Sequence, residues 1–334
     1  MILIFGATGY IGRYLCLYLK QRGYDVLALG RSKNVFKFFD DNNIRYKYFD
    51  FTDEKYFSDL PTANIKAVVN LSACLAEHET PVDLFFNVNT VGTYKLLEFC
   101  RAHGIQKFIL TSTHKLYNDI YKEIISEKDT PSFRGDHSPY IISKLAAEKM
   151  LEYYNKDFNM SGICLRLTGV HGYGEILGFL KKNGAYTKST FEIFIEKAIS
   201  GEPITVWGNQ NIKRDHIYIK DVLTAIEAAI VSDGVKGVFN IASGVGYSLY
   251  EEACAIAKVF AQDEDKESII TVDETKQGLS RGYVYDIGKA VQALNWHPQY
   301  TDIVEMLNDY KKEWQKKLYH NYHYIDIKQR PVTL

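Results

Sequence analysis

The sequence predicts an α/β fold: a doubly wound parallel sheet followed by a smaller C-terminal α+β lobe. Three observations predict it. Short, continuously apolar runs alternate with longer helical patterns through the first half of the chain. A glycine-rich turn joins the first apolar run to the first helical pattern. The second half is more irregular, with short strands set between helices. Strands buried on both faces read as unbroken apolar runs, and helical crossovers force them to pair in parallel.

The elements follow in order. Residues 2–5 form an apolar run ending at Gly6, and residues 10–22 read as a helix closed by Gly23. Further strands are expected at 25–29, 45–49, 66–71, 107–111 and 162–167. A long helix covers 81–103, with Gly104 at its C-terminal end, and another covers 138–154. Beyond them lie helical patterns near 189–200, 220–231, 248–260 and 303–316, with strands near 204–207 and 238–241. The domain reading is that residues 1–168, with parts of 203–242, build the sheet, and 169–202 with 243–334 build the second lobe. No repeat or low-complexity linker separates them.

The 334 residues are 46% hydrophobic and 24% charged, with a net charge of -1, so no general affinity for nucleic acid or anionic membrane is expected. Cys16, Cys74, Cys100, Cys164 and Cys254 form no CxxC pair, which argues for reduced cytoplasmic thiols and against a zinc or redox dithiol site. The first residues lack a signal-peptide pattern, and no stretch of about 18 apolar residues exists to span a bilayer. His320 and His323, in a tyrosine- and histidine-rich tail, read as a solvated or docking segment rather than metal ligands.

Gly6-Ala7-Thr8-Gly9-Tyr10-Ile11-Gly12 is the first motif with chemistry in it. Its first glycine permits a tight turn, its second lets backbone approach a pyrophosphate, and its third lets helix and strand pack closely. The helix N-terminus offers free amides and a positive dipole end to phosphate. Glycines at this spacing are a weak signal alone; between a strand and a helix they have the context that a Rossmann dinucleotide site requires. The second strand leads into Gly30-Arg31-Ser32 with no acidic residue for the adenosine ribose. Arg31, with Ser32, suits a 2′-phosphate instead, which favours NADP(H) over NAD(H). The alternative is that Arg31 stacks on adenine or faces water. Asp50, before Phe51, is placed to accept from the adenine amino group, or is an ordinary strand-end aspartate.

Tyr140 and Lys144 lie four apart on a helix and share one face. A free tyrosine titrates near ~10, and a neighbouring ammonium favours its phenolate, so the pair suits proton transfer in alcohol–ketone chemistry. A lone YxxxK is more often a surface pair. Here a strand ending Thr111-Ser112-Thr113 precedes it, and strand C-termini line the ligand crevice of a doubly wound sheet, where a Thr113 hydroxyl can reach the reacting oxygen.

With the glycine turn, Thr113 and the Tyr140–Lys144 pair in this order, the chain resembles an extended short-chain dehydrogenase/reductase of the nucleotide-sugar epimerase/dehydratase family, from Ile2 to about Asp302. The resemblance implies that Thr113, Tyr140 and Lys144 form a catalytic triad and that Lys144 also binds the nicotinamide ribose. It places Leu71-Ser72-Ala73 along the cofactor, with Thr111 beside it and Asn89 next to the active site. It assigns Arg214 and Arg281 to the diphosphate of a nucleotide sugar, where the alternative is a salt bridge for each. Trp207 then flanks the base, or is a core tryptophan. It also implies a homodimer through a four-helix bundle of the 81–103 and 138–154 helices, which carry apolar residues beyond one buried stripe.

The sequence departs from that pattern. His114-Lys115 stands where 4,6-dehydratases place Asp-Glu, which argues against water elimination. His114 is either a strand-end residue or a second acid/base. Relatives usually carry Asn at Thr168 or Gly169 and Tyr at His171, so the sugar contacts of Thr168 and His171 are open, with a packed loop histidine the plainer reading. Three functions compete: an NADPH-dependent reductase of a nucleotide 4-keto sugar, a 4-epimerase with tightly held NAD, and a non-catalytic cofactor-binding scaffold. The intact triad opposes the last.

Overall fold

A computed structural model describes residues 1–75, 80–131, 138–174, 178–180 and 186–319. The strands are β1 (Ile2–Phe5), β2 (Val26–Gly30), β3 (Arg45–Tyr48), β4 (Ala67–Asn70), β5 (Lys107–Thr113), β6 (Ile124–Ile125), β7 (Ser161–Leu167) and β8 (Gly169–His171). After them come β9 (Gly178–Leu180), β10 (Tyr186–Lys188), β11 (Ile204–Trp207), β12 (Lys213–Tyr218), β13 (Gly237–Ile241), β14 (Gly246–Ser248), β15 (Ile270–Asp273) and β16 (Val284–Tyr285). The helices are α1 (Tyr10–Gln21), α2 (Phe36–Asp41), α3 (Lys55–Ser58), α4 (Val82–Phe85), α5 (Gly92–Ala102) and α6 (Pro139–Asp157). The later ones are α7 (Thr190–Ser200), α8 (Ile219–Val231), α9 (Leu249–Phe260), α10 (Gly288–Leu294) and α11 (Ile303–Lys316).

Seven strands form one parallel sheet in the order β13-β7-β5-β4-β1-β2-β3. The order reverses at β1, where the chain winds outward in both directions, so a crevice opens above the C-terminal ends of β1 and β4. Every residue of β1, β4 and β5 is buried, as the apolar runs require of strands covered on both faces. One apolar core packs α1, α8 and the second lobe against one face; another packs the α5 and α6 side against the other. β13 comes from the second half of the chain, so the lobes share this sheet rather than a tether.

The long helix expected at 81–103 is broken into three pieces. α4 and α5 flank a π-helical turn, Phe86–Val91. Such turns widen the helix by one residue and recur at functional sites. β5 runs on to Thr113, so the hydroxyl-bearing residues belong to the strand itself. Ser138 caps α6 by accepting from the Ile141 amide. This starts the helix at Pro139, one residue before Tyr140. The five cysteines are free, and no described helix is long and apolar enough to cross a membrane. His320 and His323 lie outside the described residues.

Candidate active site

The glycine turn is built as its spacing demands. Gly6 has φ +76, a left-handed conformation, and a Cβ there would lie 2.7 Å from the Ser72 backbone nitrogen. A Cβ on Gly12 would lie 2.4 Å from the Gly6 carbonyl oxygen, so α1 leaves the turn closer than any side chain permits. Gly9 is the N-cap of α1 and brings no side chain to the first-turn amides, which leaves that of Ile11 to a ligand. Thr8 is buried against Gly30, whose absent side chain makes room for it. The Tyr10 ring turns away, its hydroxyl against Gly172, so Tyr10 serves the loop through its backbone. Sequence reading missed Arg13, fully buried, which ties the turn down by donating to the Thr8 and Gly174 carbonyls at 3.0 and 3.4 Å.

The end of β4 lies along this turn. Leu71 donates to the Phe5 carbonyl, and the Ser72 amide donates to Asn70 Oδ1, leading the chain through Ser72 and Ala73 past Gly6. Thr111 Oγ1 donates to the Asn70 carbonyl, joining the ends of β4 and β5. Asn89 sits in the π turn. Its Oδ1 accepts from the Cys74 amide at 2.7 Å, and its Nδ2 donates to the Cys74 carbonyl and to Ser143 Oγ at 3.1 and 2.9 Å. Its side chain is thus spent on the loop after β4 and on α6, and it acts on the site by holding both. Phe51 is buried among Phe5, Phe49 and Phe57, which leaves its backbone alone to face a ligand. Asp50 Oδ1 accepts from the Thr52 amide and hydroxyl, a local turn. Arg31 is exposed and Ser32 half-buried just past β2, and no carboxylate sits there.

A side-chain-free turn, a helix N-terminus with open amides and β4 drawn alongside fit the pyrophosphate of a dinucleotide. Gly6, Gly9 and Gly12 would admit it.

Tyr140, Thr113 and Lys144 converge above β5. Thr113 Oγ1 accepts from the Lys115 amide at 3.2 Å, which frees its own proton for the Tyr140 oxygen. Burial raises the Tyr140 pKa, and the Thr113 hydrogen bond opposes it without cancelling it. The phenol is therefore protonated at neutral pH. Lys144 is buried, and its Nζ donates to the Thr111 carbonyl at 2.6 Å. Burial pushes its pKa down to about 8, with Cys164 and Glu148 opposing. The expected lowering of the tyrosine pKa by Lys144 is not what the geometry gives. The ammonium is engaged by a backbone carbonyl, and the downward pull on Tyr140 comes from Thr113.

His114 Nδ1 lies 2.9 Å from the Tyr285 hydroxyl. Burial first, then His216 and the cations Lys115, Arg281 and Arg214, push its pKa down to about 3. It is a neutral imidazole at working pH, a hydrogen-bonding group and not an imidazolium acid. Thr168 is buried, its hydroxyl without a partner among the described residues. His171 packs between Phe191 and His216 and faces Glu252, in the interior of the second lobe.

Trp207 is 54% exposed at the end of β11, which excludes the core reading. Among the described residues neither Arg214 nor Arg281 is paired with a carboxylate, which excludes the salt-bridge reading there. Arg214 Nε donates to the Arg281 carbonyl at 3.1 Å, and both guanidinium groups lie over the Tyr283 ring, at 5.5 and 5.8 Å. Arg281 donates to the carbonyls of Asn118, Tyr117 and Ile120 at 2.7, 2.9 and 2.6 Å. It clamps the turn that follows Thr113. The site thus gathers a dinucleotide cradle, a proton-carrying phenol and uncompensated cations.

Residues 2–242 match the model of the NAD dependent epimerase/dehydratase family. The chain belongs to that family. Members are NAD-dependent enzymes that act on nucleotide sugars as epimerases, dehydratases and reductases. The chain is 25% identical over 336 residues to a UDP-glucose 4-epimerase of Halalkalibacterium halodurans, covering 96% of this chain and 97% of that one. It is 24% identical over 314 residues to a dTDP-4-dehydro-6-deoxyglucose reductase of Escherichia coli, covering 89% and 92%. A UDP-glucuronic acid 4-epimerase from Bacillus cereus, solved in complex with NAD, superposes with a TM-score of 0.72 at 24% identity, covering 95% and 99%. That likeness shows the fold.

A Gly12→Ala substitution puts a Cβ into the Gly6 carbonyl. Dinucleotide affinity should fall at least about tenfold, equivalent to about 1.4 kcal/mol, with the rest of the fold retained by circular dichroism. Calorimetric titration showing unchanged affinity would remove the cradle from this site.

Proposed function

We propose that the enzyme is an NADPH-dependent reductase of a nucleoside-diphosphate 4-keto sugar. One observation carries this reading: the buried Tyr140 phenol meets the Thr113 hydroxyl at the end of β5, where a carbonyl would sit, and burial raises its pKa so that the acid form is favoured. A protonated phenol is the form that gives a proton to a carbonyl oxygen, so the resting site is set for reduction. A bound reduced nicotinamide supplies the hydride. Tyr140 hands its proton to the oxygen that becomes the alcohol, and Thr113 holds that oxygen and the phenol in line. Lys144, fixed on the Thr111 carbonyl, would orient the ribose side of the cofactor and holds α6 over the end of β5. His114 contributes a neutral hydrogen bond, and with Lys115 beside it the site lacks the carboxylates that water elimination uses.

Arg31 and Ser32 support the phosphorylated cofactor, because they bring a cation and a hydroxyl where an NAD site brings a carboxylate. Arg214, with Arg281 behind it, supports an anionic substrate, and Trp207 offers an exposed indole to a base. Thr168, buried just past β7 with its hydroxyl unmatched among the described residues, is assigned to the sugar side, whereas His171 is packed against Phe191 and His216 and takes the plainer reading of a packed histidine.

A second reading, a 4-epimerase with tightly held NAD, draws on the full-length likeness to UDP-glucose 4-epimerase. The two readings part in one experiment. The purified protein should carry no tightly bound NAD and should oxidise NADPH only when given a nucleoside-diphosphate 4-keto sugar. Tyr140→Phe should lower kcat by about 10²–10⁴ with NADPH affinity kept. Co-purified NAD with turnover of a UDP-hexose at C4 would install the epimerase instead.

Replacing Arg31 by Ala should raise KM for NADPH about tenfold, near the loss of one charge-assisted contact, and leave KM for NADH alone. Equal effects on both coenzymes would withdraw the 2′-phosphate role.

Val82, Val91 and Tyr94 on the α4–α5 run, with Ile142, Met150 and Tyr153 on α6, are exposed apolar side chains that one chain leaves uncovered. They support a homodimer formed as a four-helix bundle. Light scattering at micromolar concentration should give twice the 38.3 kDa chain mass, and Tyr153→Lys with Tyr94→Lys should return it to the monomer.

A further inference from the structure

The interior of the second lobe contains a cavity of about 30 Å³, lined by His171 on β8, His216 and Tyr218 on β12, Tyr247 on β14, Glu252 on α9 and Met306 on α11. That is room for about two waters, since one water needs about 10–15 Å³ measured this way. The polar atoms around it are unmatched. His216 Nδ1 and His171 Nε2 are buried with no hydrogen-bond partner among the described residues. Their rings meet edge to face, centroids 4.5 Å apart. Glu252 Oε1 stands 3.6 Å from His171 Nε2, too far for a direct hydrogen bond.

The neighbouring hydroxyls cannot make up the deficit. Tyr218 donates to Asp309, Tyr247 to the Thr301 carbonyl, and Ser243 to Asp215 and the Val245 carbonyl. The rings are also held in place. β8 and β12 pair so that Gly169 faces His216, and the missing side chain of Gly169 is what admits the imidazole: a Cβ there would lie 2.5 Å from Nδ1. Phe191 packs on His171 at 4.8 Å. Buried polar groups in native proteins are matched by protein or by ordered water, and this cluster has the space and the partners for water.

We propose that the cavity is a structural water site, in which one or two bound waters bridge the Glu252 carboxyl to His171 Nε2 and His216 Nδ1. It joins β8, β12 and α9, and β12 is the strand that carries Arg214. The site stands on its own geometry, whichever reaction the crevice performs.

Protonation follows from the surroundings. The groups facing Glu252 are His171 from β8 and His216 from β12, with Tyr218 from β12, Ser243, Tyr247 from β14 and Tyr300 completing the polar lining and no lysine among the lining residues. Burial raises the Glu252 pKa to about 7, so below that pH it enters the bridge as the neutral acid. Burial holds His171 well below its ordinary value, and burial with Arg214 takes His216 down to about 4, the Gly169 backbone opposing. The folded pKa of Glu252 lies above its unfolded value near ~4.3. Its contribution to stability is therefore complete below that value and is lost as pH rises through about 7. The histidines act with the opposite sign, their contribution being lost as pH falls below ~6.5.

A high-resolution crystal structure of the full chain, with thermal unfolding of wild type and Glu252→Gln between pH 4.5 and 8, tests this. The expected result is density for one or two waters within hydrogen-bond distance of both imidazole nitrogens and residue 252. The Gln variant should gain on wild type by a few degrees in Tm across the window, because it keeps a polar bridge and loses the titration. Should the variant not fold, infrared spectra of wild type serve instead, with a protonated carboxyl band expected to fade as pH rises through 7. A dry cavity, a metal ion in that density, a direct bond between Glu252 and either imidazole, or a Tm difference and carboxyl band flat with pH would each overturn the proposal.

Discussion

The contact on which the site depends is the one between Lys144 Nζ and the Thr111 carbonyl. An ammonium buried this deeply loses most of its hydration, and burial lowers its pKa accordingly. Only a partner placed at short range makes such a position tenable, and the C-terminal end of β5 supplies it. The consequence is mechanical. With Lys144 fixed to Thr111, the first turns of α6 lie over the end of β5, and Tyr140, one turn earlier, is brought to Thr113. The same stretch of α6 is gripped from its other side. Asn89 donates to Ser143 Oγ, and Thr90 donates to the Ser143 carbonyl. The π turn exists where these two bonds are made. An extra residue in the helix turns Asn89 so that one side chain reaches both α6 and the loop after β4.

Around this contact the charges are arranged with one sign. His114 is neutral and Tyr140 keeps its proton, while Arg214 and Arg281 lie over Tyr283 without a carboxylate partner among the described residues. The nearest acid on the same strand, Asp215, is turned the other way and spent: it accepts from the Ser243 amide and hydroxyl and from the Gly244 and Tyr285 amides. Burial lifts its pKa to about 6, with those hydrogen bonds opposing. Neutral groups and cations, as these described residues supply, favour an anion, and a dinucleotide and a nucleotide sugar are both polyanions.

How much of this the sequence made legible follows from the range of each interaction. The strands of the sheet were readable because burial on both faces writes itself into continuous apolar runs. The glycine turn was readable because strand, turn and helix adjoin in the chain. Tyr140 and Lys144 were readable through helical spacing. What escaped depends on neighbours far apart in sequence. Arg13 is a helix residue in any local pattern, and only the fold shows it bonded to Gly174. His216 and Glu252 gain meaning only when β8, β12 and α9 meet. The cause of the Tyr140 pKa shift escaped as well, because spacing shows that Lys144 is near but not that Thr111 engages it or that burial raises the phenol's pKa. For Trp207 and the two arginines, exposure and the lack of a described carboxylate partner removed the core and salt-bridge alternatives, while a ligand role depends on groups that lie far apart in sequence.

The two arginines do not do the same work. Arg281 has three of its N–H donors on the carbonyls of Tyr117, Asn118 and Ile120, and such bonds to a charged donor are among the stronger ones in a protein. Giving them up to a phosphate would release the turn that begins at Thr113. Arg214 has one donor committed, to the Arg281 carbonyl. The free charge of the pair therefore sits on Arg214, while Arg281 spends its own in holding the second lobe against the catalytic strand. An anion that reaches Arg214 leans on a residue whose neighbour holds the turn that Thr113 caps. The second lobe and the end of β5 are thus joined by one guanidinium.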